Sequence, residues 1–176
     1  LTYMLKSPFD FSFLSRYGRV FRIFDGQDSG NICFGTEKDG RRYFIKFAGA
    51  PTARYDGKPE DAISRLKSTV PVYQHLRHPN LIEYLGCEEI GGGFAMIFAW
   101  ADGECIGRMF PKSRMRFLQT DTKTRMQVYL DILSFLEYTA SQGYIAIDFS
   151  DGSIMYDFTR HKTVICDIDF FRKRPC

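Results

Sequence analysis

Residues 144–171 read YIAIDFSDGSIMYDFTRHKTVICDIDFF. Two apolar, strand-like runs each lead into an aspartate, Asp148 and Asp167, 19 positions apart, and a short polar turn at 157–162 separates them. A carboxylate at a strand end that opens into a loop faces a cleft rather than a hydrogen-bonded ladder. As plain turn acids, the two would instead cap local backbone.

The 176 residues suffice for one ordinary domain or two small lobes. Apolar residues make up 44% and aromatics 16%, with 17 Phe, which excludes disorder and predicts an aromatic-rich core. A net charge of +3 is too weak to argue for nucleic acid. The small basic clusters at 112–116 and 172–174 read as solvated faces. No apolar stretch is long enough to span a bilayer. The five Cys (33, 87, 105, 166, 176) show no C-x-x-C pair, and the three His (75, 78, 161) are scattered. Together they predict buried, reduced thiols in a cytoplasmic protein, with no zinc site. No signal peptide is visible, and the chain opens at Leu1 rather than Met, so a preceding segment is expected.

The first half reads mostly as strands. Runs at 19–24, 31–36 and 42–48 form an antiparallel meander, with a turn at Lys38-Asp39-Gly40. A Gly- and Pro-rich loop covers 49–59. Apolar residues at 63, 66, 70, 73 and 76 then predict a helix over 60–76, which Pro71 should kink or divide. Strands at 81–87 and 93–99 follow, joined at Gly91-Gly92-Gly93. In the second half, 121–142 is the strongest helix. Asp121 or Thr120 caps it, Met126, Leu130, Leu133 and Ala140 line one face, and Gly143 follows its end.

Lys46 lies mid-strand between Ile45 and Phe47, facing either solvent or a cleft. Upstream of it, the turn at 25–30 contains Gly26 and Gly30. Packed over a strand lysine, such a hairpin can cover phosphates with backbone N–H groups while the ammonium neutralises charge. Two strand-end acids can hold Mg²⁺, which takes one or two carboxylates plus phosphate oxygens. Alternatively, one acid holds the metal while the other accepts a proton from a hydroxyl.

Together these pieces resemble the protein-kinase-like family. The matches are the hairpin DGQDSGNI, the strand lysine in Phe44-Ile45-Lys46 and the turn His78-Pro79-Asn80-Leu81-Ile82. Residues 95–100 (AMIFAW) resemble the inter-lobe hinge, Asp102-Gly103-Glu104 the turn after it, Asp148 the catalytic-loop aspartate, and Ile165-Cys166-Asp167 the strand ending in the metal aspartate. The resemblance covers about residues 19–171 in the family's order.

It implies an α+β, two-lobed kinase-like fold. Residues 1–97 would form an N-terminal lobe of antiparallel sheet plus one helix, and 98–176 a hinge and a partial helical lobe. It also implies ATP and Mg²⁺ as cofactors. Lys46 would meet the α/β-phosphates, Asp148 the acceptor hydroxyl and Asp167 the Mg²⁺, with Ser153 a second metal ligand. Gly26, Gly30 and Ile32 would line the nucleotide. Backbone near Phe98 to Trp100 would take the adenine, with Ile97 behind the ring.

The chain departs from the family pattern in several places. Asp25 and Gln27 stand where glycines are usual. The helix glutamate that should pair with Lys46 aligns with Thr69, and Glu60 and Asp61 lie roughly 13 Å away along the helix. Ala146-Ile147-Asp148 replaces His-Arg-Asp, which predicts activity independent of activation-loop phosphorylation. Ser150 and Ser153 replace a lysine and an asparagine, with Asp151 a possible substitute ligand. Asp167-Ile168-Asp169 replaces Asp-Phe-Gly, and Asp169-Phe170-Phe171 is a second register. Five residues follow Phe171 where the family continues, so a segment of a longer product is expected, inactive by itself and with an undercovered apolar helix.

Three functions compete. The first is a divergent, bacterial-type serine/threonine protein kinase acting on a protein substrate. The second is a pseudokinase that binds nucleotide or serves as a scaffold. The third is a small-molecule kinase of aminoglycoside or choline type.

Overall fold

The computed structural model describes residues 4–175, so Leu1 and Cys176 lie outside the described residues. The chain is α+β and divides into two units, 1–70 with 83–100, and 71–82 with 101–176. The sequence-based boundary at 97/98 kept 71–82 with the first half; here those residues belong with the second unit.

The first unit is built on an antiparallel sheet. β1 (Arg19–Phe24), β2 (Asn31–Lys38) and β3 (Arg41–Ala48) form the expected meander. Asp39 and Gly40, with φ of 52° and 73°, close the β2–β3 hairpin. Such mirror-image turns match the right-handed twist of paired strands and call for Asp-Gly or Gly-Gly. Helix α1 (Pro59–His75) then leads to β4 (Tyr84–Ile90) and β5 (Gly93–Ala99), whose hairpin turns on Gly91 and Gly92, with φ of 60° and 73°. The strand order is β1-β2-β3-β5-β4.

β4 starts three residues later than the sequence suggested. Leu81 and Ile82 pair instead with Ile165 in the second unit, where Ile82 N–H donates to the Ile165 carbonyl at 2.9 Å. Pro71 lies inside α1, which stays one helix, and the division between units falls between Val70 and Pro71.

One sheet face buries Ile32, Phe34, Ile45, Phe47 and Ala95 under an N-terminal segment carrying Phe9, Phe11, Phe13 and Leu14. Phe11 packs 5.1 Å from Phe34 and 4.9 Å from Phe9, ring centre to ring centre. The segment ends in a 3-10 turn, Ser12–Tyr17.

The second unit holds a short β6 (Glu104–Cys105), α2 (Pro111–Leu118), α3 (Thr122–Ser141) and β7 (Tyr144–Ile145). The hairpin β8 (Ile154–Asp157) and β9 (Lys162–Ile165) follows, then β10 (Arg172–Lys173), which pairs with β7. The basic cluster at 112–116 is part of α2. Arg114 and Arg116 reach Asp151 and Glu104, at 3.4 and 2.8 Å.

Asp121 caps α3 as expected, accepting the Thr124 N–H at 2.8 Å. Its buried face is not the expected one. Met126, Leu130 and Leu133 are 53%, 53% and 60% exposed, while Val128, Phe135 and Thr139 are buried. Phe135 decides the orientation, because its ring meets His78, Phe149 and Phe171. Among the described residues no helix is long and apolar enough to cross a membrane.

Candidate functional site

In the second unit, the β8–β9 register sets Ile154 opposite Ile165. The Ser153 carbonyl, one step further, accepts the Cys166 N–H at 2.9 Å. Asp167 follows directly, exposed at the strand end. Its carboxylate accepts the Asp169 N–H at 3.1 Å, closing a tight turn over Ile168, which is 1% exposed. Asp148 arrives from the other side, three residues past β7, with φ of 54°. Left-handed backbone is rare outside glycine and least costly for Asn and Asp.

Asp148, Ser153 and Asp167 line one open cavity of about 140 Å³, together with Ser150, Asp169 and Phe170. The cavity has room for several water-sized groups. Asp151 does not line it; its carboxylate accepts the Arg108 N–H at 3.1 Å and faces Arg114. As a substitute metal ligand Asp151 is therefore displaced by its own ion pairs.

The donor set fits Mg²⁺. It offers the carboxylates of Asp148, Asp167 and Asp169 and the hydroxyls of Ser150 and Ser153, all hard oxygens. Among the described residues no group of three or more His, Cys, Asp or Glu gathers into a cage. Magnesium bound through one or two carboxylates and phosphate oxygens needs no such cage.

Tyr73 was marked in the sequence only as a helical core position. It is 1% exposed, its hydroxyl donates to Asp169 Oδ1 at 2.8 Å, and it accepts the Ile168 N–H at 3.1 Å. Burial, reinforced by the charges of Asp169 and Asp167, pushes its phenol well above the ordinary tyrosine range.

In the first unit, Lys46 is 9% exposed and sits in register between Cys33 and Met96. Side chains alternate along strands, so residues in register share a face. Ile32 and Ile97 therefore lie on the face opposite Lys46, packed with Phe34, Ile45 and Phe47. The sequence placed both beside the nucleotide; Cys33 and Met96 hold the positions level with the lysine.

Phe98 is buried between Phe44 and Tyr84 on the Lys46 side. The Ala99 and Trp100 N–H groups are spent on the Glu83 and Arg42 carbonyls, at 2.9 and 3.1 Å. The Trp100 ring packs on Phe21 and Phe24. The hairpin with Gly26 and Gly30 is tethered from outside. Arg54 donates to the Gly26 carbonyl at 3.0 Å and Arg65 to the Ser29 carbonyl at 3.3 Å. Gly30 has φ of 80°, and a Cβ there would meet Tyr55 and Ala62.

No protein-family model matches the chain. Over 112 residues, 64% of its length, it is 27% identical to the mitogen-activated protein kinase kinase kinase bck1 of Aspergillus fumigatus strain CBS 144.89, and equally so to that of strain ATCC MYA-4609. The chain spans about 6% of the length of these curated relatives. It is distantly similar to a kinase.

Proposed function

We propose that the protein is an ATP- and Mg²⁺-dependent phosphotransferase of two-lobed kinase fold, a divergent serine/threonine protein kinase in its full length. One observation carries this: two exposed aspartates, each past a strand end, converge with Ser153 on one cavity. Asp167 and Ser153 would hold Mg²⁺, which neutralises charge on the transferring phosphoryl group when bound. Asp148 would orient the acceptor hydroxyl and take its proton, and Lys46 would meet the nucleotide phosphates. Positioning and charge stabilisation would supply most of the rate.

Phosphate transfer from ATP by the full-length protein tests this. Asp148→Asn should abolish transfer and leave ATP binding intact; equal turnover by that variant would refute the assignment. Thr69 favours a second reading, a nucleotide-binding pseudokinase. It is a buried hydroxyl where the family places the acid that pairs with the strand lysine. ATP binding without transfer by the full-length protein would support that alternative.

A further inference from the structure

We propose that Tyr73 is a positioning residue that selects Asp167 over Asp169 as the acid presented to a cation in the cavity; this rests on the phosphotransferase reading. Both acids line the cavity, two residues apart on one turn, and sequence alone offers either as the metal ligand.

The phenol breaks that symmetry. Its O–H donates to Asp169 Oδ1 at 2.8 Å, which draws that carboxylate toward the C-terminal turns of α1. Its oxygen accepts the N–H of Ile168 at 3.1 Å, which fixes the peptide linking the two acids. The Asp169 carbonyl is held separately by the Arg172 guanidinium, at 2.8 Å. Ile168 is buried beneath the turn, so the turn cannot roll without exposing it. Asp167, whose carboxylate accepts the Asp169 N–H at 3.1 Å, is the exposed acid of the pair, and Asp169 is half-buried. Tyr73 is itself 1% exposed and cannot swing away without opening the core around it.

Replacing Tyr73 by Phe keeps the ring and removes both bonds. The Ile168 N–H then lacks this acceptor, and Asp169, relieved of the phenol's bond, competes with Asp167 for a cation.

The experiment measures, on the full-length protein, the MgCl₂ concentration that half-saturates ATP binding, alongside ATP affinity in EDTA. For Tyr73→Phe the magnesium requirement should rise about tenfold, with affinity in EDTA unchanged within about twofold. Adding Asp169→Asn to Tyr73→Phe should recover most of the loss, because the competing acid is gone. Asp169→Asn alone keeps an acceptor for the phenol and should move the magnesium requirement far less than Asp167→Asn. Loosened packing would lower both affinities together and would not be rescued at position 169.

An unchanged requirement in Tyr73→Phe, or absent rescue, overturns the proposal. So does equal loss from Asp169→Asn and Asp167→Asn, which reads the same point should Tyr73→Phe fail to fold. If the wild-type protein binds no Mg·ATP, the phosphotransferase reading is what fails. The clamp is then judged by amide exchange at Ile168: acceleration of at least about tenfold in Tyr73→Phe sustains it, and unchanged exchange rejects it.

Discussion

The hydroxyl oxygen of Thr69 lies 3.2 Å from the sulfur of Met96, and Met96 is the β5 residue in register with Lys46. Helix α1 thus sets a neutral group against the neighbour of the strand lysine. That hydroxyl also donates to the Leu66 carbonyl one turn back, at 2.8 Å, so helix backbone satisfies it without any charge.

Thr69→Val keeps the β-branched shape and removes the hydroxyl. It should cost about 1 kcal/mol or less in unfolding free energy, the usual net worth of one hydrogen bond. Mg·ATP affinity should stay within about twofold. A tenfold loss of affinity in titration calorimetry would show that the hydroxyl, rather than an acid elsewhere, serves the nucleotide.

The N-terminal aromatics form a structural lid over the sheet face opposite Lys46. Phe11 meets Phe9, Phe13, Phe34 and Phe47 at ring-centre distances of 4.9 to 6.2 Å. Phe11→Ala should cost about 3 kcal/mol, the lower end for truncating a buried Phe. Urea unfolding reads this directly; a loss below about 1 kcal/mol would mean the segment is not part of the cooperative core.

How much of this was legible depended on the local signal. The hairpins at Asp39-Gly40 and Gly91-Gly92 declared themselves, because only such residues accept those φ values cheaply. The existence of α3 was equally plain, and of the two caps that the sequence offered, Asp121 and Thr120, Asp121 takes the role. Its buried face was not, since the helix carries two apolar stripes and only the tertiary partners of Phe135 choose between them. Ile32 and Ile97 were read as lining the nucleotide, and the register that sets them on the face opposite Lys46 could not be read from the sequence, because strand pairing, and hence face, is set by register rather than proximity in sequence. The aromatics at 9–13 were passed over because a 3-10 turn and its lead-in have no helical or strand period. Tyr73 looked like any core residue, since nothing local reveals that its hydroxyl reaches residues 168 and 169.

Acid should weaken the hairpin that carries Asp167. The Asp157 carboxyl is held below its ordinary range by the Arg160 N–H first, then by the Thr159 N–H and the Arg160 guanidinium. A depressed carboxyl contributes stability that is fully present above the unfolded value, about 3.9. That stability is lost as pH falls through the lower folded value. Wild-type Tm should therefore fall more steeply than that of Asp157→Asn between pH 5 and pH 3. Parallel Tm curves would remove Asp157 from the account.

Asp148 raises a question of fold before one of chemistry, because it holds φ of +54° while lining the cavity. Asn visits left-handed backbone at least as readily as Asp, whereas other side chains pay roughly 1–2 kcal/mol there. Asp148→Asn should thus leave unfolding free energy within about 0.5 kcal/mol of wild type, and Asp148→Ala should lose about 1 kcal/mol. Removing Cβ in Asp148→Gly should spare the conformational strain and separate it from loss of the carboxylate. Chemical denaturation of the three variants decides between them. Equal losses for Asn and Ala would show that the backbone there is not strained, and that any effect on phosphate transfer belongs to the carboxylate alone.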